Sequence, residues 1–369
     1  MSAAEYGLAR PEDDADLRAI LRASPFAGSI SLSLEREPNY FLAASVDGTF
    51  HQTLALRDSH TNEIIGMGDR SIRPRWLNGR VQEVGYFSGL RGREKYRQGL
   101  AAARFLGKGF EGMHALHQDG RAPYYLMSII SDNDTARRIL TSNLPHYPRL
   151  HPYTRMFTYA IHPTRPKKES GIKITRGTLD LIPAIVDCLA RYGTRTQFAP
   201  HWTTDTLLSA LTPALSISDF FLALSGDRVT GCLALWDQQA FKQSVIRGYA
   251  GTIARLRKLI NLLAPLGGWP RLPNIGTRLN HCFASFLALD EDDPEIFSAL
   301  LCALHNEAAR RKYDYVMLGL PEASPFHAIV KSYRPITYES QIYLTAWEDG
   351  YDAVAQVDSR PPALEIALL

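Results

Sequence analysis

Residues 86–106, YFSGLRGREKYRQGLAAARFL, begin as a strand, pass through a turn dense in Gly and Arg, and end in an Ala-rich helical run. A helix N-terminus presents unpaired N–H groups and the positive end of its dipole, and glycine at such a turn lets backbone approach a ligand. Within REKYRQGLAA, Gly99 and Ala101 keep the first helical turn free of bulk, while Arg97 and its neighbours supply positive charge. The junction therefore reads as a cradle for a pyrophosphate.

Upstream, Asn78-Gly79 is a strong hairpin signal, because both residues accept positive φ. It joins the strand that leads into the cradle to two earlier strands, FHQTLALRD (50–58) and EIIGMGDRSIRP (63–74). Before them the pattern predicts a short strand at YGLARP, a helix at DDADLRAILRAS and another helix near LEREPNYFLAAS. Downstream it predicts a helix to about His117, the strand YYLMSII, a helix opening at SDNDTARRIL and a last strand, RMFTYAI. HPTRPKKESG (162–171) has the composition of a linker. Beyond it the same order of elements recurs, which reads as a degenerate duplication of one α+β unit. The expected organisation is residues 1–161, a linker at 162–171, a second unit at 172–349 with a helical insertion at 251–276, and a tail at 350–369.

A chain of 369 residues with 45% hydrophobic and 21% charged residues has room for two ordinary globular cores. Net charge of +3 is too small to argue for nucleic acid, and no nucleic-acid-binding pattern accompanies it. Local charge is more telling: Arg70, Arg73, Arg75, Arg80, Arg91, Arg93, Lys95 and Arg97 face only Asp69, Glu83 and Glu94 in the same segment. The longest apolar run is too short to span a bilayer and no apolar leader opens the chain, so a cytoplasmic location is expected. Cys188, Cys232, Cys282 and Cys302 are widely spaced and read as small core residues rather than zinc ligands or disulfides. His114 and His117, one helical turn apart, lack further ligands nearby and read as a solvated helix face; no metal is expected.

LRGREKYRQGLAAARFL resembles the strand–loop–helix run of the GNAT (Gcn5-related) N-acyltransferase superfamily, whose loop motif is R/Q-x-x-G-x-G/A. Tyr96-Arg97 stand for the usual aromatic-Arg pair and Gly99-Leu100-Ala101 for G-x-G/A, with one residue fewer between Arg97 and Gly99 than the motif has. The alternative register uses Leu100 and Ala102. SDNDTARRIL is similar to the family's N-x-x-A-x-x-L/Y helix, with Asn133 and Ala136 in register. The resemblance implies two tandem α+β units, each a mixed, mostly antiparallel twisted sheet flanked by helices. It also implies acetyl-CoA or another acyl-CoA as co-substrate, held by Leu90, Arg91, Gly92, Arg97, Gln98, Gly99, Leu100, Ala101, Ala102 and Asn133. The implied reaction is direct acyl transfer to a primary amine of a small molecule or peptide. Glu83 matches the family's strand carboxylate, the expected general base. The usual Tyr on the later helix is replaced by Leu140, which leaves Tyr147 as the expected acid.

Two other readings stay open from the residues alone: a non-catalytic acyl-CoA-binding protein, and a transferase with a longer acyl donor. In the second unit the matching loop, DEDDPEI, is acidic and lacks Gly, so it repels phosphate and suits a helix start, with Asp293 as N-cap. That unit is expected to supply structure or acceptor recognition. Its insertion carries Leu256, Leu259, Ile260 and Leu263 at helical spacing among Arg255, Arg257 and Lys258. This amphipathic helix reads as a core cap, with a lid or a membrane-surface contact as alternatives. The apolar tail adds an edge strand or covers a groove.

Overall fold

The computed structural model describes residues 4–26, 28–96, 99–142, 144–168, 171–211, 214–267 and 271–369. In the first half β1 (Ala4–Leu8), α1 (Asp14–Arg22), β2 (Ile30–Glu35), α2 (Ala44–Asp47), β3 (Phe50–Asp58), β4 (Ile64–Leu77) and β5 (Arg80–Gly92) lead to α3 (Gly99–His117). There follow β6 (Tyr125–Ile130), α4 (Asp134–Leu140) and β7 (Arg149–Ile161). After residues 162–171 the second half holds β8 (Ile174–Arg176), α5 (Ile182–Thr194), α6 (Thr204–Ala210), β9 (Phe220–Ser225), β10 (Arg228–Trp236), β11 (Gln243–Tyr249) and α7 (Gly251–Gly267). It closes with β12 (His281–Leu289), α8 (Pro294–Arg310), β13 (Tyr315–Pro321), α9 (His327–Lys331), β14 (Ile336–Ala346) and α10 (Tyr351–Ala355).

Among the described residues the halves share one 12-stranded sheet, β1-β3-β4-β5-β6-β14-β7-β13-β12-β10-β9-β8. Most pairings are antiparallel; β5–β6 and β12–β13 are parallel. The two final strands change places: β14 lies between β6 and β7, and β7 lies between β14 and β13. Each half thus completes its sheet with a strand from the other, and the long β14–β7 ladder, Ile336↔Ala160 to Ala346↔Arg149, joins them. A second contact links them through a small sheet of β2 and β11. The sequence pattern predicts a helix over residues 34–45. Residues 30–35 instead form β2, because β11 offers them a ladder, and the helical turns begin only at Tyr40.

Helices cover both faces of each half. In the first, Phe105, Phe110 and Met113 of α3 pack on Leu54, Leu56, Phe87 and Met127, while α1 covers Ala55 and Met67 on the opposite face. In the second, α8 covers one face with Phe297, Leu300 and Leu304, and α5 the other with Ile185 and Cys188. All four cysteines are buried, and none of them forms a disulfide among the described residues.

Candidate functional site

The hairpin at Asn78-Gly79 returns β5 antiparallel to β4, as its positive φ values of 52 and 76° require. β5 then runs beside β6 only from Gly85↔Tyr125 to Phe87↔Met127. Beyond Phe87 it continues to Gly92 with β4 as ladder partner, whereas β6 continues to Ile130 paired with β14. The two strands therefore diverge, and a wedge opens between them on the way to α3. At its mouth the β4–β5 register passes from Asp69↔Ser88 to Met67↔Arg91, so Gly89 and Leu90 oppose Gly68 alone. This is a β-bulge, and Gly89 holds φ at 62°.

Behind the bulge lies a polar row, half-buried Ser88 beside buried Asp69 and Thr53, in register across β5, β4 and β3. Tyr40 Oη donates to Asp69 Oδ2 and Thr53 Oγ1 to Oδ1, each at 2.7 Å, and an Arg36 nitrogen stands 3.2 Å from Oδ2. Burial favours the protonated Asp69, but Arg36, His51 and Thr53 outweigh it and hold the carboxyl far below the usual range. Arg36 also pairs with Asp47 at 2.8 Å, and Lys242 of the second half reaches Asp47 at 2.6 Å. The bulge thus rests on a charge network that spans both halves.

Of the basic run, three arginines turn inward. Arg70 donates to both oxygens of Asp119, at 2.8 and 2.6 Å, and to Tyr125 Oη at 3.0 Å. Arg73 lies over the Trp202 ring at 5.1 Å and Arg75 donates to the Phe198 carbonyl. Burial pulls these last two guanidiniums down to about 10 and about 9. Their charge serves the contact between halves rather than a surface anion. Arg93 likewise donates to the Ile64 carbonyl and pairs with Glu63 at 2.9 Å.

The residues expected at the cofactor site have these places. Leu90 faces Met113 across Gly68, Arg91 lies 4.4 Å from the Phe26 ring, and Gly92 ends β5 against Phe105. Arg97 and Gln98 lie outside the described residues. Gly99, Leu100 and Ala101 open α3, and Ala102 is buried in its first turns. Asn133 is the N-cap of α4, its Oδ1 accepting from the Ala136 N–H at 3.1 Å. Glu83 is an exposed residue of β5 opposite Pro74; partial burial pushes its carboxyl up against the pull of Arg121 and Arg73. Tyr147 donates to the Ala103 carbonyl of α3 at 2.9 Å, packs on Phe110, and is pushed up to about 12 by burial. Leu140 is buried. His117 is not on a solvated face: it is buried, its ring nitrogens 3.0 Å from Tyr125 Oη and 3.1 Å from Asp349.

The second half repeats the geometry with a different filling. β12 and β13 run parallel only from His281↔Tyr315 to Phe283↔Met317, and a bulge lies at Phe286, φ 57°. Here the tail enters: the Phe286 N–H donates to Glu365 Oε2 at 2.8 Å, and Ile366 packs so closely on Gly319 that a Cβ there would lie 2.1 Å away. Burial pushes the Glu365 carboxyl up to about 7, although the Phe286 and Ala367 amides and Arg75 favour its charged form. Beside it is a hollow lined by Tyr192, Trp202, Phe286, Asp292, Phe326 and Glu365. The acidic loop is occupied internally, with Asp290 taken by Arg191 and Arg228, and Asp293 capping α8. Sequence alone missed Gly89, Asp69 and Glu365. A Gly inside a strand, Gly89 between Ser88 and Leu90, was the one signal for the bulge.

No protein-family model and no curated protein sequence matches the chain. Solved structures do match in shape. Saccharomyces cerevisiae N-myristoyltransferase with bound myristoyl-CoA superposes with a TM-score of 0.63 at 10% identity, over 94% of this chain and 83% of that one. A GCN5-related N-acetyltransferase from Sphaerobacter thermophilus gives 0.54 at 11% identity, over 99% and 98% of the two chains. The GCN5-related glucosamine N-acetyltransferase region of a fungal multi-domain β-N-acetylglucosaminidase gives 0.61 at 11%, over 94% of this chain and 38% of that one. The chain has the GNAT fold: a mixed, mostly antiparallel sheet flanked by helices.

Proposed function

We propose that the chain is an acyl-CoA-dependent N-acyltransferase that passes a short acyl group, acetyl in the simplest case, to a primary amine of a small molecule or peptide. One observation carries this: the wedge between β5 and β6, bulged at Gly89 and leading into α3. An extended pantetheine arm fits such a wedge as an added strand, and the α3 N-terminus beside Arg97 and Gln98 suits the pyrophosphate. Leu90, Arg91 and Gly92 would line the arm; the first-turn backbone amides of Gly99, Leu100, Ala101 and Ala102 would face the phosphates. An amide turned out of the ladder at the bulge would donate to the thioester oxygen as it gains charge.

In the proposed step the neutral amine attacks the thioester carbon, and the C–N bond forms before the C–S bond breaks. Glu83, through a bridging water, accepts the proton that the nitrogen loses; its raised carboxyl suits that task. Tyr147, on the flank of α3, returns a proton to the departing thiolate. The second half, with its own wedge occupied by Glu365 and Ile366 and its loop acidic, would shape the acceptor side through the hollow beside Trp202.

The short acyl group is favoured because Leu90, Phe105, Phe110 and Met113 close the crevice between α3 and the sheet, with Leu90 and Met113 both within 3 Å of a Cβ placed on Gly68. A longer chain is the second reading, supported by the likeness to a structure holding myristoyl-CoA. The test is release of free thiol from acyl-CoA of increasing chain length in the presence of an amine panel. Stabilisation by acyl-CoA without thiol release would point to a binder; the absence of both stabilisation and thiol release would overturn the proposal.

A further inference from the structure

From Gln238 to Leu289 the chain contains no Asp or Glu, yet it holds seven cations: Lys242, Arg247, Arg255, Arg257, Lys258, Arg271 and Arg278. The net charge of the whole protein is only +3, so more than that total is concentrated here. Lys242 pairs with Asp47 and Arg247 with Glu35. Among the described residues no carboxylate lies within ion-pair distance of Arg255, Arg257, Lys258, Arg271 or Arg278. Four of these five are exposed; Arg257 instead reaches the Pro273 carbonyl and Asn274, tying the following loop to α7.

α7, at the centre of this stretch, shows its leucines outward. Ile253, Ile260, Asn261 and Ala264 form its covered side, whereas Leu256, Leu259, Leu262 and Leu263 are 44, 51, 71 and 43% exposed. At about 100° per residue the four leucines share one stripe, with Arg255 within it and Lys258 at its rim. Ile275, 60% exposed, adds a further apolar side chain in the loop that Arg257 ties back. A core cap would bury this stripe, and no part of the described chain does.

We infer that α7 is a docking helix for an anionic lipid surface, lying in the interface plane with its leucines in the acyl boundary and its cations at the headgroups. Apolar area alone would serve any hydrophobic partner; the five cations with no carboxylate at ion-pair distance among the described residues select a negatively charged one. Arg255 is long enough to extend its guanidinium upward while its stem stays among the leucines. The helix lies on the bilayer rather than through it, since none of the described helices is long and apolar enough to cross. This inference is independent of the acyl-transfer proposal.

The test is co-sedimentation of the full chain with vesicles of phosphatidylcholine alone and with about a third phosphatidylserine, at low and high salt. Binding should appear with the anionic vesicles, weaken as salt rises, and fall about tenfold or more in Leu256→Ser/Leu259→Ser/Leu263→Ser. Arg255→Glu/Lys258→Glu should lose the preference for anionic lipid. These side chains are exposed, so circular dichroism should show both variants folded. Equal binding to neutral vesicles, or none to anionic ones, overturns the inference. So does a concentration-dependent dimer that the triple Ser variant abolishes, which would make a second copy of the chain the occupant.

Discussion

Asp69 lies directly beneath Gly89: a Cβ added at Gly89 would stand 2.7 Å from the Asp69 Oδ2, on a backbone held at φ 62°. The bulge and the buried carboxylate therefore exclude any side chain at this position. Gly89→Ala should lose about 2–3 kcal/mol of stability, from left-handed strain plus displacement of a satisfied charge, and should lower affinity for acyl-CoA. Gly226→Ala, at φ 61° with nothing within 4 Å, supplies the control and should cost only about 1 kcal/mol. Denaturant midpoints compare the two directly; equal losses would show that Asp69 exerts no steric control.

Glu83→Gln should cut the rate of thiol release by about a hundredfold while leaving acyl-CoA affinity within about twofold. A carboxyl raised above its ordinary value works as a base only above that raised value, so the wild-type rate should fall as the medium is acidified. In the Gln variant that acidic limb should vanish. An unchanged pH profile would remove Glu83 from the proton path.

Tyr147→Phe should slow turnover about tenfold or more if its hydroxyl supplies the leaving thiol with a proton, and should cost about 1 kcal/mol for the lost bond to Ala103. A thioester with a more acidic thiol needs less protonation, so the defect should shrink with such a donor. The same deficit with every donor would assign Tyr147 to packing alone.

Glu365 makes stability depend on pH. Burial raises its folded value to about 7 from 4.5, so between those values the folded chain binds more protons than the unfolded one. Its contribution is fully present below about pH 4.5, declines as pH rises towards 7 and is flat above, a change on the order of 3 kcal/mol. Glu365→Gln should flatten that slope and raise the unfolding midpoint at pH 8 relative to wild type. A slope that survives the substitution would place the proton elsewhere.

Most elements were legible because their signals are local. The apolar run Leu54-Ala55-Leu56, the Asn-Gly turn and the apolar face of residues 99–117 each act within a few residues. β2 was not legible: Ser31, Ser33 and Leu34 pair with β11 some two hundred residues away, and nothing nearby asks for a strand. The charged run misled for the same reason. Arg70, Arg73 and Arg75 look like surface cations until Asp119, Trp202 and the Phe198 carbonyl close over them. His117 took its place only once Tyr125 and Asp349 came together around it.

By itself the amino-acid order determined the mixed α+β succession of elements, the Asn78-Gly79 hairpin and the acidic loop before Pro294, since each follows from pattern, turn chemistry or charge over short range. Only tertiary structure decided that β7 and β14 change places, that β5 and β6 part after Phe87, and that Glu365 occupies the second wedge. Those outcomes depend on which distant edges pair and which carboxylates lose water, and a linear pattern holds neither.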